Sequence, residues 1–367
     1  MNPSLDYVDT PSLLVDMDRL DANISEMADV AQRAGVRLRP HIKTHKSPWL
    51  AQRQLDAGAC GVTVAKLGEA EVMAAAGIRD IRIVYPIIGP HKVARLSRLM
   101  DVADVSIAVD SVDAARQVAQ AALSRSQPVP LLLEIDTGFG RLGVRSEDVA
   151  AAAAQISKVP GIRLMGILTH EGHAYDERTL EGVRRCARET GLVMTQIASC
   201  LRNAGFDIAE VSVGATGTAR DIAFVPGITE MRPGTYIFND ARKIELGVAT
   251  EATCALTVLA TVVSVPDDDR AVIDAGAKTL TTDLVHSNPE SGYGFVKDFP
   301  DARIVRLSEE HGIVSLPDAW ERLYVGRQIE IIPNHVCPVV NLADTIYLMR
   351  NGRCEREIPV AARGKSR

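Results

Sequence analysis

Two histidines and two lysines crowd the segment RLRPHIKTHKSP, residues 37–48, at the end of a strand-like run of Val36, Leu38 and Ile42. A lysine such as Lys43 or Lys46 can bind a carbonyl group covalently, and His41 and His45 can move protons or bind metal. A second pair, His335 and Cys337 in PNHVCP, lies two residues apart. On a strand that spacing puts an imidazole and a thiolate on one face, where they suit Zn²⁺. Other polar clusters are Asp136 and Arg141 in EIDTGFGRLGV, and His170, His173 and Tyr175 in LTHEGHAY. Gly214, Thr216, Gly217 and Thr218 fall in SVGATGTA, and Arg232, Gly234 and Thr235 in MRPGTYIFND. Each has a plainer reading: a solvated lysine, a satisfied histidine, an ordinary turn, a free thiol.

What favours chemistry is a shared placement. Over the first 245 residues a helical period repeatedly ends in Gly and gives way to a β-branched run, as in AGVRLRPHI, AGIRDIRIVYP and AGFDIAEVSVG. The runs 36–42, 60–65, 81–85, 104–109, 130–136, 163–169, 209–213 and 229–238 make eight candidate strands alternating with helices. This predicts a parallel (β/α)8 barrel over 18–245, with a doubly wound open sheet as the competitor. In such a barrel, chemistry sits at the C-terminal strand ends, and the polar clusters fall there. Lys66, after the second run, belongs to the same set. After residue 245 the texture becomes strand runs bounded by Asp, Gly and Pro. This predicts an all-β domain over 246–367, joined by an N-terminal strand at 8–17.

The totals agree with an enzyme of this kind. The chain has 367 residues, 46% apolar and 24% charged, with net charge −6 and no basic block, which argues against nucleic acid as a partner. No apolar run is long enough to span a membrane, and the acidic start lacks signal-peptide character, so a cytoplasmic location is expected. Six scattered cysteines suit reduced thiols.

The Gly and Thr residues of GATGT can offer backbone N–H groups and hydroxyls to a phosphate, and the RPGT turn a second contact. Phosphate sites after the seventh and eighth strands are frequent in this barrel. A lysine across the barrel from a phosphate cradle suggests a Schiff base to pyridoxal 5′-phosphate (PLP). The chain resembles the fold-type III PLP enzymes, with an alanine racemase-like barrel and β domain. Within them it is most similar to the eukaryotic-type D-serine dehydratase and D-threonine aldolase group. RPHIKTHKS, DTGFGRLGV, THEGHAY, RPGTYIFND and PNHVCPVVNLAD carry the resemblance, in matching order over essentially the whole chain. It implies that Lys43 is the Schiff-base lysine, with Lys46 opening the next helix. It puts Arg141 near the phenolic oxygen of PLP, His170 near its ring and Tyr175 among its contacts. Gly214, Thr216, Gly217 and Thr218, with Gly234 and Thr235, would hold the phosphate. In alanine racemase the arginine of the RPG turn faces the pyridine nitrogen; the resemblance leaves open whether Arg232 does so here.

The resemblance also bears on the reaction. The D-serine dehydratase pattern carries His-x-Cys as zinc ligands, and the D-threonine aldolase pattern His-x-Asp. Cys337 therefore tilts the expectation to dehydration of D-serine or a similar D-3-hydroxy amino acid, giving a 2-oxo acid and ammonia. Lys43 would remove the α-proton, and Zn²⁺, or Mn²⁺ or Mg²⁺ in its place, would polarise the β-hydroxyl. The alternative is an aldolase for D-threonine or 3-hydroxy-D-aspartate giving glycine and an aldehyde, with His173 as base. A racemase is a third reading. A homodimer is implied by the resemblance.

Overall fold

The computed structural model describes residues 8–123, 126–267, 269–285, 289–315 and 323–367. Within these bounds they form two compact units: described residues of 25–43, 48–234 and 365–367, and described residues of 8–24, 44–47 and 235–364.

The first unit is a (β/α)8 barrel. Its strands are Arg37–Leu38, Val62–Val64, Asp80–Ile83, Asp104–Val109, Val129–Asp136, Ile162–Leu168, Glu210–Val213 and Glu230–Met231. From Val62–Val64 onward each pairs in parallel with the next, and Glu230–Met231 pairs back onto Arg37–Leu38. The ring closes where Cys60 N donates to Leu38 O at 2.9 Å and Thr63 N to Pro40 O at 2.8 Å. A parallel bridge joins His41 and Thr63. The first and eighth strands are shorter than the apolar pattern predicts because each meets a proline, Pro40 or Pro233, that cannot donate to the ladder. The two proline segments instead lie together, His41 N donating to Pro233 O at 2.9 Å.

The crossover helices follow the expected grammar. Leu180–Asn203 starts at the cap Thr179, whose hydroxyl accepts from Gly182 N, and buries Val183, Cys186, Ala187, Met194, Ala198 and Leu201 along one face. Near the first strand, Gly35 takes φ +68°, the left-handed turn that releases the chain from a helix into Arg37–Leu38.

At the N-terminal strand ends the barrel is filled by charge rather than by hydrocarbon. Arg82 donates through Nη2 to Glu210 at 2.7 Å and through Nη1 to Glu230, and Arg39 Nε donates to Glu230 at 2.8 Å. Arg39 also grips Asp80, and Arg37 pairs with Glu210 at 2.6 Å. Ser212 donates to Glu230 at 2.6 Å and accepts from Arg232, whose other end donates to Thr169 O at 2.6 Å.

The second unit is a mostly antiparallel β structure. Leu256–Asp267 pairs with Arg270–Ile273 and Gln328–Ile332, and the strands Gly312–Ser315, Arg303–Leu307 and Phe295–Val296 complete the ring between those two partners. Ser12–Asp16 adds to the other side of Leu256–Asp267, antiparallel to it and parallel to Thr345–Arg350. Arg353–Pro359 closes a hairpin with the latter. No helix among the described residues is long and apolar enough to cross a membrane.

Candidate active site

Lys43 lies in a 3-10 turn, Ile42–Thr44, just past the first barrel strand. It is half-buried, and its backbone N–H donates to His41 Nδ1 at 3.3 Å. The His41 ring is buried and held unprotonated, first by desolvation, then by the positive charges of Lys43 and Arg232. Lys46 does not open the following helix, which starts at Pro48; it sits before it in a left-handed conformation, φ +52°.

After the fifth strand the backbone folds back on itself. Asp136 Oδ1 accepts from the N–H groups of Gly138 and Gly140 at 3.0 and 3.1 Å. Burial opposes that carboxylate's charge, but these bonds and that of Phe139 hold it below the usual carboxylate range. Positive φ at Gly138, Gly140 and Gly143 lets the loop turn this tightly. The loop carries Phe139, with Arg141 stacked 5.0 Å above its ring. The edge of Phe139 meets His170 with ring centres 5.5 Å apart.

His170 is bonded through Nδ1 to the carbonyl oxygen of Gly214. A carbonyl only accepts, so Nδ1 carries the proton and Nε2 keeps its lone pair. Burial, then the charges of Lys43, Arg141 and Arg232, outweigh that bond and push the ring's pKa down to about 3. The next residue, Glu171, is fully buried and takes the Gly214 N–H with both oxygens, at 3.1 and 3.0 Å. Burial raises its carboxyl to about 7. The N–H of Gly214 is thus engaged inside the protein, and Gly214 anchors the loop through its backbone. Beyond it Thr216 and Thr218 are buried, and Thr218 donates to Ala215 O at 3.2 Å. The Tyr175 ring stands 3.4 Å from where a Gly217 side chain would begin, so a larger residue there would press on the ring. His173 packs on Gly138, and its buried Nδ1 has no hydrogen-bond partner among the described residues.

Arg232 is buried and pinned at both ends by Ser212 and Thr169. Gly234 ends the barrel unit. Thr235, next in the chain, begins the segment belonging to the other unit, and its buried hydroxyl has no protein partner among the described residues.

The residues present fit PLP. Lys43, Arg141 and Arg232 act electrostatically on His41 and His170, making an electropositive rim suited to a phosphorylated, anionic aromatic. His170 offers a neutral ring of fixed orientation, and the buried hydroxyls of Thr216 and Thr218 follow the seventh strand, where phosphate is commonly bound in this fold.

In the second unit His335 and Cys337 are brought together by hydrogen bonding, but not on a strand as expected. His335 is the extended cap residue before the helix Val336–Leu342, and Cys337 lies in its first turn. Pro333 stops the preceding strand, while Pro338 is tolerated in a first helical turn, so this apolar run reads as strand only when its prolines are ignored. Two distant residues set the geometry. Buried Asp240 accepts from Val336 N at 3.2 Å, and Asn334 Nδ2 donates to the carbonyls of Asp283 and Gly292. Asp283 binds His335 Nδ1 at 2.7 Å, leaving Nε2 for a metal, the usual outer-shell arrangement of a ligating histidine. Burial disfavours charge on the ring, but Asp283 and Cys337 overcome it and raise its pKa to about 10. Thr44 lies 3.3 Å from Cys337 Sγ. The donor set suits a borderline-soft cation such as Zn²⁺. Among the described residues no group of three or more candidate ligands forms.

Sequence reading missed Glu171, Asp283, Asp240 and Asn334. Glu171 stood inside a quoted motif beside His170, whereas Asp283 and Asp240 are 52 and 95 residues from His335 in the chain and carry no local signal.

The family model "Alanine racemase, N-terminal domain" matches residues 15–241, and "Putative serine dehydratase domain" matches 255–349. The chain is 35% identical over 365 residues to a D-threonine aldolase of Arthrobacter sp, covering 98% of this chain and 94% of that protein. It is 36% identical over 355 residues to the D-threo-3-hydroxyaspartate dehydratase of Delftia sp. (strain HT23), covering 92% and 93%. The crystal structure of D-threonine aldolase from Filomicrobium marinum superposes with TM-score 0.93 at 32% identity, covering 100% and 99% of the two chains. Solved variants of D-threo-3-hydroxyaspartate dehydratase replace a histidine and, two positions further on, a cysteine; the cysteine variant is in a metal-free form. This chain belongs to the alanine racemase N-terminal domain family, of PLP fold type III, in its branch of lyases acting on D-3-hydroxy amino acids.

Proposed function

We propose that this lyase dehydrates a D-3-hydroxy amino acid, D-serine or a close analogue, to a 2-oxo acid and ammonia, with PLP at the barrel rim and Zn²⁺ at His335 and Cys337. Bound PLP would draw electrons from the bonds at the α-carbon, and the cation would act as a Lewis acid on the β-oxygen. Lys43 would hold the cofactor covalently at rest and accept the α-proton once released. Arg141 would face the phenolic oxygen, neutral His170 would lie beside the ring, and Tyr175 would border the phosphate loop. Thr216, Gly217, Thr218, Gly234 and Thr235 would bind the phosphate, and Arg232, pinned by Ser212 and Thr169, would present a fixed positive charge to the ring. A homodimer, a cytoplasmic location and Mn²⁺ or Mg²⁺ as substitute metals belong to the same reading.

The observation that carries the choice of dehydration is Cys337, a sulfur donor in contact with His335. It has the spacing of the histidine and cysteine altered in the solved dehydratase variants. An aldolase reading has its own support in His173, whose buried, unpartnered Nδ1 suits a base that takes a hydroxyl proton. Product analysis with D-serine, D-threonine and D-threo-3-hydroxyaspartate separates the two. Ammonia with a 2-oxo acid supports dehydration; glycine with an aldehyde as the main products would replace it by the aldolase.

A further inference from the structure

The peptide of Gly214 is held from both sides by neighbours in sequence. His170 Nδ1 donates to its carbonyl oxygen, and Glu171 takes its N–H with both carboxylate oxygens at 3.1 and 3.0 Å. Glu171 is fully buried and forms no salt bridge among the described residues, an unusual expense for a carboxyl group unless its position matters. Gly214 directly follows the strand Glu210–Val213 and leads into the turn that carries Thr216, Gly217 and Thr218. A side chain at Gly214 would press on Arg232, 3.1 Å away, so the position is kept to glycine by the close approach of that arginine. We infer that Glu171 is a positioning residue for phosphate: by gripping Gly214 N–H while His170 grips Gly214 O, it fixes the orientation in which the 215–218 turn presents its donors.

This rests on the reading of that turn as the phosphate site, and the two can be told apart. Dissociation constants for PLP and for pyridoxal, which lacks the phosphate, are measured on the full-length protein after cofactor removal. Thr216→Ala and Thr218→Ala test the reading itself: they should weaken PLP and leave pyridoxal alone. If they affect neither ligand, the turn does not bind phosphate. With that established, Glu171→Leu should weaken PLP at least tenfold and pyridoxal less than twofold. Glu171→Gln, whose amide oxygen can still accept from Gly214, should stay within threefold of wild type for both. If the leucine variant does not fold, Glu171→Asp, which draws the carboxylate back by one methylene, should show the same phosphate-selective loss. Wild-type PLP affinity in Glu171→Leu or Glu171→Asp, or equal losses for PLP and pyridoxal, would overturn the inference.

Discussion

The two ends of the barrel use the same residue types to opposite ends. At the N-terminal strand ends Arg37, Arg39 and Arg82 are matched by Asp80, Glu210 and Glu230 at hydrogen-bonding distance. At the C-terminal rim Lys43, Arg141 and Arg232 act on histidines, and the buried carboxyls Glu134 and Glu171 are raised toward the neutral form by desolvation. Matched charge makes a rigid floor whose removal costs stability. At the rim the cations bear on neutral histidines and on carboxyls raised toward the neutral form, which suits an anionic cofactor. Ser212 touches both, bonding Glu230 below and Arg232 above, so the floor also fixes one cation of the rim.

The sharpest test of the rim is its lysine. Lys43→Ala should abolish covalent PLP attachment and its Schiff-base absorbance, while Lys46→Ala keeps both, as read by borohydride reduction and peptide mapping. A pyridoxyl label on Lys46 would reverse the assignment. At the floor the expected loss is of stability. Arg82→Met takes one cation from each of two buried carboxylates, Glu210 and Glu230, and should cost about 3–5 kcal/mol in urea unfolding. A cost below about 1 kcal/mol would mean that water reaches this network and the contrast between the ends is false.

The metal pair should respond separately. Asp283→Asn removes the carboxylate that orients His335 and should weaken Zn²⁺ by about 10–100-fold while leaving PLP absorbance intact. Metal content after dialysis against a graded chelator reads this out, and unchanged retention would remove Asp283 from the site. The smallest effect is in pH. Glu230 is held near 2 because, although burial opposes its charge, Arg82 and Arg39 favour it. Its stabilisation is present above the ordinary carboxylate value of 4.5 and is lost as pH falls toward 2. His170 refuses a proton until about 3, whereas the unfolded ring takes one near 6.5, so its component of stability declines over that window. In cofactor-free protein, His170→Asn should flatten the pH dependence of stability between about 6.5 and 4.5, and Glu230→Gln only below about 4.5. The reverse pattern would exchange the roles of rim and floor.

Local sequence determined a good deal about this protein. The helix–Gly–strand rhythm announced eight parallel strands because a left-handed cap and a change of apolar period are properties of a few consecutive residues. The strand-end clusters around Lys43, Arg141, His170 and Gly214 were legible because the barrel sends all its strand ends to one rim. The strand Ser12–Asp16 could be expected in the β structure because its apolar run precedes the first helix. What only the tertiary structure decided depends on residues far apart in the chain. Arg82 and Glu230, 148 positions apart, neutralise each other at the floor. Asp240 caps the helix that holds Cys337, turning an apparent strand into a helical turn. Glu171 becomes a grip on Gly214 rather than an exposed acid because the sixth and seventh strands lie side by side. A side chain's charge and hydrogen-bonding role depend on burial and on partners brought in by the fold, and neither is written in its immediate neighbours.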